Sequence, residues 1–194
     1  MTDTIFYFGY GSLVNNDTRA PGGVAVPGRL SGWVREWRIS GPTAYGGVCS
    51  LTVRPEPGAE VAGVMVREHR DGLAALDERE WRYERCDLAE GAFRGDAETP
   101  LEVPGFVYTA RAEHYRWGDA DHPILQSYVD CVLAGFLKHW GEAGVRDFVE
   151  TTRGWHVPIR PDRQSPLYPR AVTIDDETRV LFDEVLREAG ARCI

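Results

Sequence analysis

The chain has 194 residues, and its 22 Lys and Arg residues against 30 Asp and Glu residues give a formal net charge of −8 at pH 7. A chain of this length fits one domain, which can bury roughly 70% of the surface that its unfolded form exposes. The acidic balance, without any basic block, disfavours binding to nucleic acid and to anionic membranes.

The four cysteines are widely spaced, and none forms a C-x-x-C pair or stands at zinc-finger spacing from a histidine. We therefore expect reduced thiols and no bound metal. No apolar run approaches the roughly 20 residues of a membrane span, and the start of the sequence lacks the basic region of a signal peptide. The expected location is the cytoplasm.

The first half of the chain predicts short strands separated by Gly and Pro, because its segments are rich in β-branched and aromatic residues. Turns are predicted at Ser31-Gly32 and Pro57-Gly58. A short helix over 69–77 is predicted to end just before Glu80. The predicted strands are 4–10, 24–30, 33–40, 47–53, 61–67, 83–88 and 104–110.

The second half of the chain changes to a helical period. Asp121 is predicted to cap the main helix, whose broad apolar face runs to Trp140, before Gly141. A second helix is predicted to follow Asp175 and to end at Gly190. Strands followed by helices predict an α+β domain with a closed or nearly closed sheet.

An apolar strand runs directly into glycines and a serine in the stretch Tyr7-Phe8-Gly9-Tyr10-Gly11-Ser12-Leu13. Glycine lets the backbone turn sharply and approach a ligand, so consecutive N–H groups can converge on a carboxylate or a developing oxyanion. The same pattern is also typical of an ordinary strand-ending turn. It is not the dinucleotide-binding G-x-G-x-x-G, because Val14 stands at the third glycine, and it is not a P-loop.

Glu80 lies in the charged stretch 76–85, between the predicted short helix and the next strand. Most charged runs of this kind are solvated helix faces of little energetic consequence. Glu80 differs in being flanked by Trp81 and Tyr83, which can desolvate its carboxyl group. Desolvation would raise the pKa of Glu80 toward the range that a general base needs at neutral pH.

These residues resemble the γ-glutamylcyclotransferase family, including its ChaC-like and AIG2-like branches. The stretch 7–13 is similar to the family's Y-G-S signature, and Leu76-Asp77-x-x-Glu80 is similar to its L-D-x-x-E segment. Two weaker similarities occur in the order in which the family has these segments, so the resemblance spans residues 5–137. They are the hairpin P-G-x-x-V-x-G-V at 57–64 and the helix start from Pro123 to Tyr128, which resembles the family's P-x-x-x-Y with one more residue between Pro and Tyr.

The resemblance implies a mixed β-barrel flanked by helices, and a cofactor-independent reaction that releases 5-oxoproline from a small γ-glutamyl substrate. It implies that Glu80 is the catalytic acid and base. Glutathione, a γ-glutamyl amino acid and a γ-glutamyl amine all stay open as substrates, and the protein is expected to be a monomer or a homodimer. The implied substrate-binding residues are Tyr10, Gly11, Ser12, Leu13, Tyr128 and Tyr108.

Two parts of the sequence depart from the family's pattern. Trp81 stands where the family often has a glycine after its catalytic glutamate, and it is expected to narrow the pocket. Residues 145–194 match no family segment. They are expected either to close the pocket or to pack on the core as a C-terminal extension of a single domain, 1–194, and packing is the favoured interpretation.

Two alternative functions stay open. One is a catalytically silent small-molecule binding protein on the same barrel, and the other is an acyltransfer enzyme that removes γ-glutamyl groups from a specialised amine.

Overall fold

The computed structural model describes residues 3–19, 21–97 and 104–194. Over these ranges, nine strands form one mixed sheet, flanked by three α-helices. The predicted α+β class is therefore confirmed. The strands are β1 (Thr4–Gly9), β2 (Val24–Thr43), β3 (Gly46–His69), β4 (Tyr83–Asp87), β5 (Phe93–Gly95), β6 (Phe106–Ala110), β7 (Ile124–Leu125), β8 (Thr152–Arg153) and β9 (Ile159–Arg160); the helices are α1 (Leu73–Arg79), α2 (Gln126–Thr151) and α3 (Asp176–Glu188).

One long hairpin, β2 with β3, forms the centre of the sheet. The sequence predicts four shorter strands in this region, separated by turns at Ser31-Gly32 and Pro57-Gly58, and that prediction is wrong. Gly32 and Gly58 have φ angles of +83° and +84°, a conformation that glycine adopts at no steric cost. They allow local irregularities, such as the register shift between Ser31 and Trp33, while the antiparallel pairing continues on both sides.

Strand β1 lies inside the sheet, where it pairs antiparallel with β3 and parallel with β6. The order of hydrogen-bonded strands is β4-β6-β1-β3-β2-β5. Tyr7 and Phe8 are only 1% exposed in this position. The loop that follows Gly9 therefore leaves the sheet from an interior strand, between β3 and β6.

Helix α2 differs from its prediction at its start, and a second helical segment follows its predicted end. The helix does not begin at Asp121, because Ile124 and Leu125 form β7, which pairs with β3 and β9. The predicted end is confirmed in that Gly141, with a non-helical φ of 63°, interrupts the helix, and a second helical segment then continues to Thr151. Non-local strand pairing accounts for the different start, and the conformational freedom of glycine accounts for the interruption at Gly141.

Helix α3 begins and ends where the sequence predicts. The Asp175 carboxylate caps it by accepting the Thr178 N–H at 2.8 Å, and Gly190 follows its last turn with a φ of 75°. The core joins the sheet to both long helices, and it includes Phe148, Trp155 and Phe182 from the last fifty residues. Within the described ranges, no helix is both long enough and apolar enough to cross a membrane.

Candidate active site

An open cleft of about 360 Å³ is the main concavity near the glycine loop. It lies between the tip of the β2–β3 hairpin, the turn after α1, the start of α2 and residues 167–170. A smaller cavity of about 30 Å³ lies beside it, against the loop that follows β1. The cleft and the cavity meet at four residues that line both: Ser12, Glu80, Tyr83 and Tyr128.

The structure brings together the residues that the sequence predicts for the site. They come from the loop after β1, the end of α1, strand β6 and the first turn of α2, which are far apart in the chain. Their chemical roles remain predictions. All seven line the smaller cavity: Tyr10, Gly11, Ser12, Leu13, Glu80, Tyr108 and Tyr128.

Glu80 is held in the turn between α1 and β4. Its N–H donates to the Leu76 carbonyl at 2.9 Å, and its own carbonyl accepts the Tyr83 N–H at 2.8 Å. Its side chain is only 14% exposed. Burial raises the pKa of the Glu80 carboxyl group above its ordinary value, although the positive charges of Arg79 and Arg170 oppose the shift. The Glu80 carboxylate is therefore a stronger base than an exposed glutamate.

Arg79, which no sequence motif marks as functional, fixes Glu80 relative to the glycine loop. Its Nε lies 3.0 Å from Glu80 Oε1, and its two terminal nitrogens donate to Ser12 Oγ at 3.1 Å and to the Thr18 carbonyl at 2.6 Å. The guanidinium fork makes these contacts together because its donors are rigidly arranged. Its position directly before Glu80 is the only feature of the sequence that indicates a role for Arg79 in the site.

The loop after β1 carries backbone donors beside Glu80. The Gly11 and Ser12 carbonyls accept the N–H groups of Val14 and Asn15 at 3.0 and 3.1 Å, which closes a tight turn. The N–H groups of Gly11, Ser12 and Leu13 have no hydrogen-bond partner among the residues that the structure describes. These donors are therefore free to bind an anionic group in the cavity.

Four tyrosines surround the same cavity, but their hydroxyl groups differ in what they bind. The Tyr10 and Tyr83 hydroxyls donate to backbone carbonyls at 2.7 and 2.8 Å, and the Tyr108 hydroxyl donates to Asp77 Oδ1 at 2.6 Å. The Tyr128 hydroxyl has no hydrogen-bond partner in the described part of the chain. Burial raises the pKa of all four phenols well above the ordinary value, so each keeps its proton at neutral pH. Tyr128 is thus the available donor.

Trp81 lies at the entrance of the open cleft. Its side chain is among the exposed large hydrophobic ones, at 57%, and its ring contacts the His114 ring edge to face at 5.2 Å. It lines the cleft and is not among the described residues that line the smaller cavity. The predicted narrowing of the pocket by Trp81 therefore concerns the entrance of the cleft and not the cavity beside the glycine loop.

Residues 161–170, which we call the strap, run past the start of α2 to the cleft. The Asp162 carboxylate, on a residue only 6% exposed, accepts the Ser127 N–H at 2.7 Å, the Ser127 hydroxyl at 2.6 Å and the Leu167 N–H at 2.9 Å. Arg163 adds two hydrogen bonds to Asp130, at 2.6 and 2.9 Å. These contacts hold the end of the strap, 167–170, as one wall of the cleft.

Asp162→Ala is expected to lower the free energy of unfolding by about 2–4 kcal/mol, because three donors lose a buried charged acceptor. Urea denaturation measures the change. Asp175→Ala is the control, since it removes an exposed helix cap and is expected to lose only about 1 kcal/mol. Equal losses in the two variants would show that the Asp162 contacts do not hold the strap.

No protein-family model and no curated protein matches the chain. Its fold is similar to solved structures over most of its length. An uncharacterized human protein aligns with 93% of this chain and 99% of its own, at a TM-score of 0.61 and 16% identity. A γ-glutamyl cyclotransferase aligns over the same shares, 93% and 99%, at a TM-score of 0.59 and 15% identity.

A γ-glutamyl cyclotransferase from yeast that is specific to glutathione covers 97% of each chain, at a TM-score of 0.51 and 12% identity. At sequence identities this low, the similarity extends to the fold only, because one fold can carry several activities. The fold implied by the resemblance in sequence is confirmed. This chain therefore has the γ-glutamylcyclotransferase fold.

Proposed function

We propose that the chain is a γ-glutamylcyclotransferase, which releases 5-oxoproline from a small γ-glutamyl substrate with Glu80 as general acid and base. One observation carries the proposal: a part-buried carboxyl group with a raised pKa lies where the cleft meets the cavity, beside three unpaired backbone donors. A perturbed carboxyl group in a cleft is typical of acid–base chemistry. The shared fold supports the same activity.

The reaction has its nucleophile inside the substrate. The α-amine of a γ-glutamyl amide attacks its own γ-carbonyl, the new C–N bond closes a five-membered lactam, and the bond to the leaving amine breaks. No side chain has to act as a nucleophile. The enzyme has to take a proton from the α-ammonium group, hold the bent conformer, stabilise the oxyanion and protonate the leaving amine.

The residues around the cavity can divide these tasks. The Glu80 carboxylate accepts the proton from the α-ammonium group and then donates it to the leaving nitrogen. The N–H groups of the Gly11–Leu13 loop stabilise the oxyanion, and the Tyr128 hydroxyl contacts the γ-glutamyl group. Because Asp77 holds the Tyr108 hydroxyl, Tyr108 contacts the substrate through its ring.

The test is to incubate the purified protein with glutathione, a γ-glutamyl amino acid and a γ-glutamyl amine, and to measure 5-oxoproline. Turnover of at least one compound is expected. We also expect it to survive dialysis against a chelator, because the sequence has no metal-ligand spacing. Binding of these compounds without turnover would favour the catalytically silent binding protein instead.

Arg79→Met is expected to move the ascending limb of the pH profile of kcat/KM to higher pH, by about one unit or more. The limb rises as Glu80 ionises, and the Arg79 guanidinium 3.0 Å away favours the ionised form. Losing that charge raises the pKa of Glu80 further, so more alkaline pH is needed for the basic form. Arg79→Lys keeps the charge and should leave the limb near its wild-type position. A limb that moves to lower pH in Arg79→Met would contradict the assignment of the base.

A further inference from the structure

The open cleft is positively charged although the chain as a whole carries a net charge of −8. Arg79, Arg82 and Arg170 line the cleft, and Glu80 is the only acidic residue among its described lining residues. A concentration of one sign of charge in a cleft raises the local concentration of ligands of the opposite sign. The cleft therefore favours a substrate that carries negative charge.

The three arginines differ in whether their guanidinium groups already bind other groups of the protein. Arg79 is bound to Glu80 and to the loop after β1. Arg82 donates to the Pro42 carbonyl, and its guanidinium lies 4.9 Å from the centre of the Trp81 ring. The exposed Arg170 has no hydrogen bond or ion pair with any residue that the structure describes. Among the three, its guanidinium is the one with its donors free.

The position of Arg170 relative to Glu80 indicates which part of a substrate it meets. If the proposed function holds, the reacting γ-carbonyl lies at Glu80 and the γ-glutamyl part faces the loop after β1. The leaving amine then extends into the open cleft, and the end of the strap forms one wall of that cleft. Arg170 is the charged residue of that wall, beside Leu167 and Tyr168.

We infer that Arg170 is a specificity-determining residue that binds a carboxylate on the leaving amine. The enzyme then prefers γ-glutamyl amino acids and peptides to γ-glutamyl amines. A guanidinium group matches a carboxylate with two parallel N–H donors, which suits this role better than a single point charge. The strap supports the role because Asp162 and Arg163 fix it to α2, which limits the freedom that Arg170 loses on binding.

The inference rests on the proposed function and is tested with two substrates that differ only in the carboxylate, γ-glutamyl-alanine and γ-glutamyl-ethylamine. The wild type should favour γ-glutamyl-alanine, and Arg170→Gln should lower the ratio of the two kcat/KM values by about tenfold. Arg170→Lys should retain part of the ratio. Arg192→Gln, which removes an exposed arginine outside the cleft, is the control and should leave the ratio unchanged.

Ionic strength gives a second readout, because an exposed charge pair is screened by salt. The wild-type preference should fall as salt rises, and the ratio for Arg170→Gln should not respond. If Arg170→Gln lowers kcat/KM by the same factor for both substrates, the inference is overturned. Arg170 would then contact the γ-glutamyl half of the substrate or only support the strap.

Failure of the proposed function is distinguishable from failure of this inference. If the wild type turns over neither of these two compounds nor glutathione, the proposed function fails, and calorimetry then measures how tightly each of the two compounds binds to wild type and to Arg170→Gln. A selective loss of γ-glutamyl-alanine binding would still support the carboxylate contact. Equal binding of the two compounds by the wild type would refute it.

Discussion

Glu80→Gln is expected to lower kcat by about 10²–10⁴-fold while the protein stays folded. The amide has nearly the same shape as the carboxyl group but cannot accept the proton of the α-ammonium group. Release of 5-oxoproline measures turnover, and circular dichroism measures folding. Glu78→Gln is the matched control, because Glu78 is an exposed acidic residue in the last turn of α1, two positions before Glu80. Turnover within a few-fold of wild type in Glu80→Gln would contradict the assignment of the base.

The same substitution has a consequence for stability that does not depend on activity. Burial raises the pKa of Glu80 in the folded protein, so the folded state binds more protons than the unfolded state between the ordinary and the raised pKa. The contribution of Glu80 to the free energy of unfolding therefore falls as pH rises through that interval. Glutamine does not titrate, so the Glu80→Gln variant does not lose this stability. From pH 4 upward, its free energy of unfolding should therefore rise relative to that of the wild type, by about 1.4 kcal/mol for each unit by which the pKa is raised. A difference that is constant across pH would show that Glu80 is not desolvated.

Gly11→Val is expected to abolish binding of the γ-glutamyl group. A Cβ atom at position 11 would lie 3.2 Å from the Tyr128 hydroxyl oxygen and 3.3 Å from Leu51 Cδ1, which leaves no room for the further methyl groups of valine. The side chain would displace Tyr128 or the loop itself, and several donors would lose their geometry together. Overpacking of this kind lowers stability by about 1–3 kcal/mol, which is compatible with a folded domain.

Ser12→Ala is the milder comparison for the loop. It removes the acceptor of one Arg79 hydrogen bond and leaves the backbone donors in place. Calorimetry with 5-oxoproline measures binding to both variants, and circular dichroism verifies that they are folded. We expect no measurable binding to Gly11→Val and binding weakened by about tenfold in Ser12→Ala. Unchanged affinity in a folded Gly11→Val protein would show that the loop is only a structural turn.

The parts of the site that the sequence predicts are those carried by short, local patterns. The glycine loop and Glu80 stand within such patterns, and so does the capped start of α3 at Asp175. Arg79 could not be recognised in the same way, because its partners Thr18 and Ser12 lie 61 and 67 residues away. In the sequence, Arg79 is one charge in a charged run.

Elements that depend on distant partners were the least predictable. Ile124 and Leu125 fit the first turn of an apolar helix as well as a strand, and their pairing with Cys49 and Ile159 decides between the two. Asp162 holds the strap through Ser127, 35 residues away, so composition alone does not reveal that the strap reaches the cleft. Residues from position 145 onward contribute both to the core and to the wall of the cleft.

Whether the nucleophile is the substrate's own α-amine can be read from the products that the wild type forms from γ-glutamyl-alanine in water labelled in its oxygen. Attack by the α-amine gives 5-oxoproline and free alanine in equal amounts, with no label in either, and no reaction is expected when the α-amine of the substrate is acetylated. Glutamate that carries the label would contradict it, because water and not the α-amine would then have attacked the γ-carbonyl.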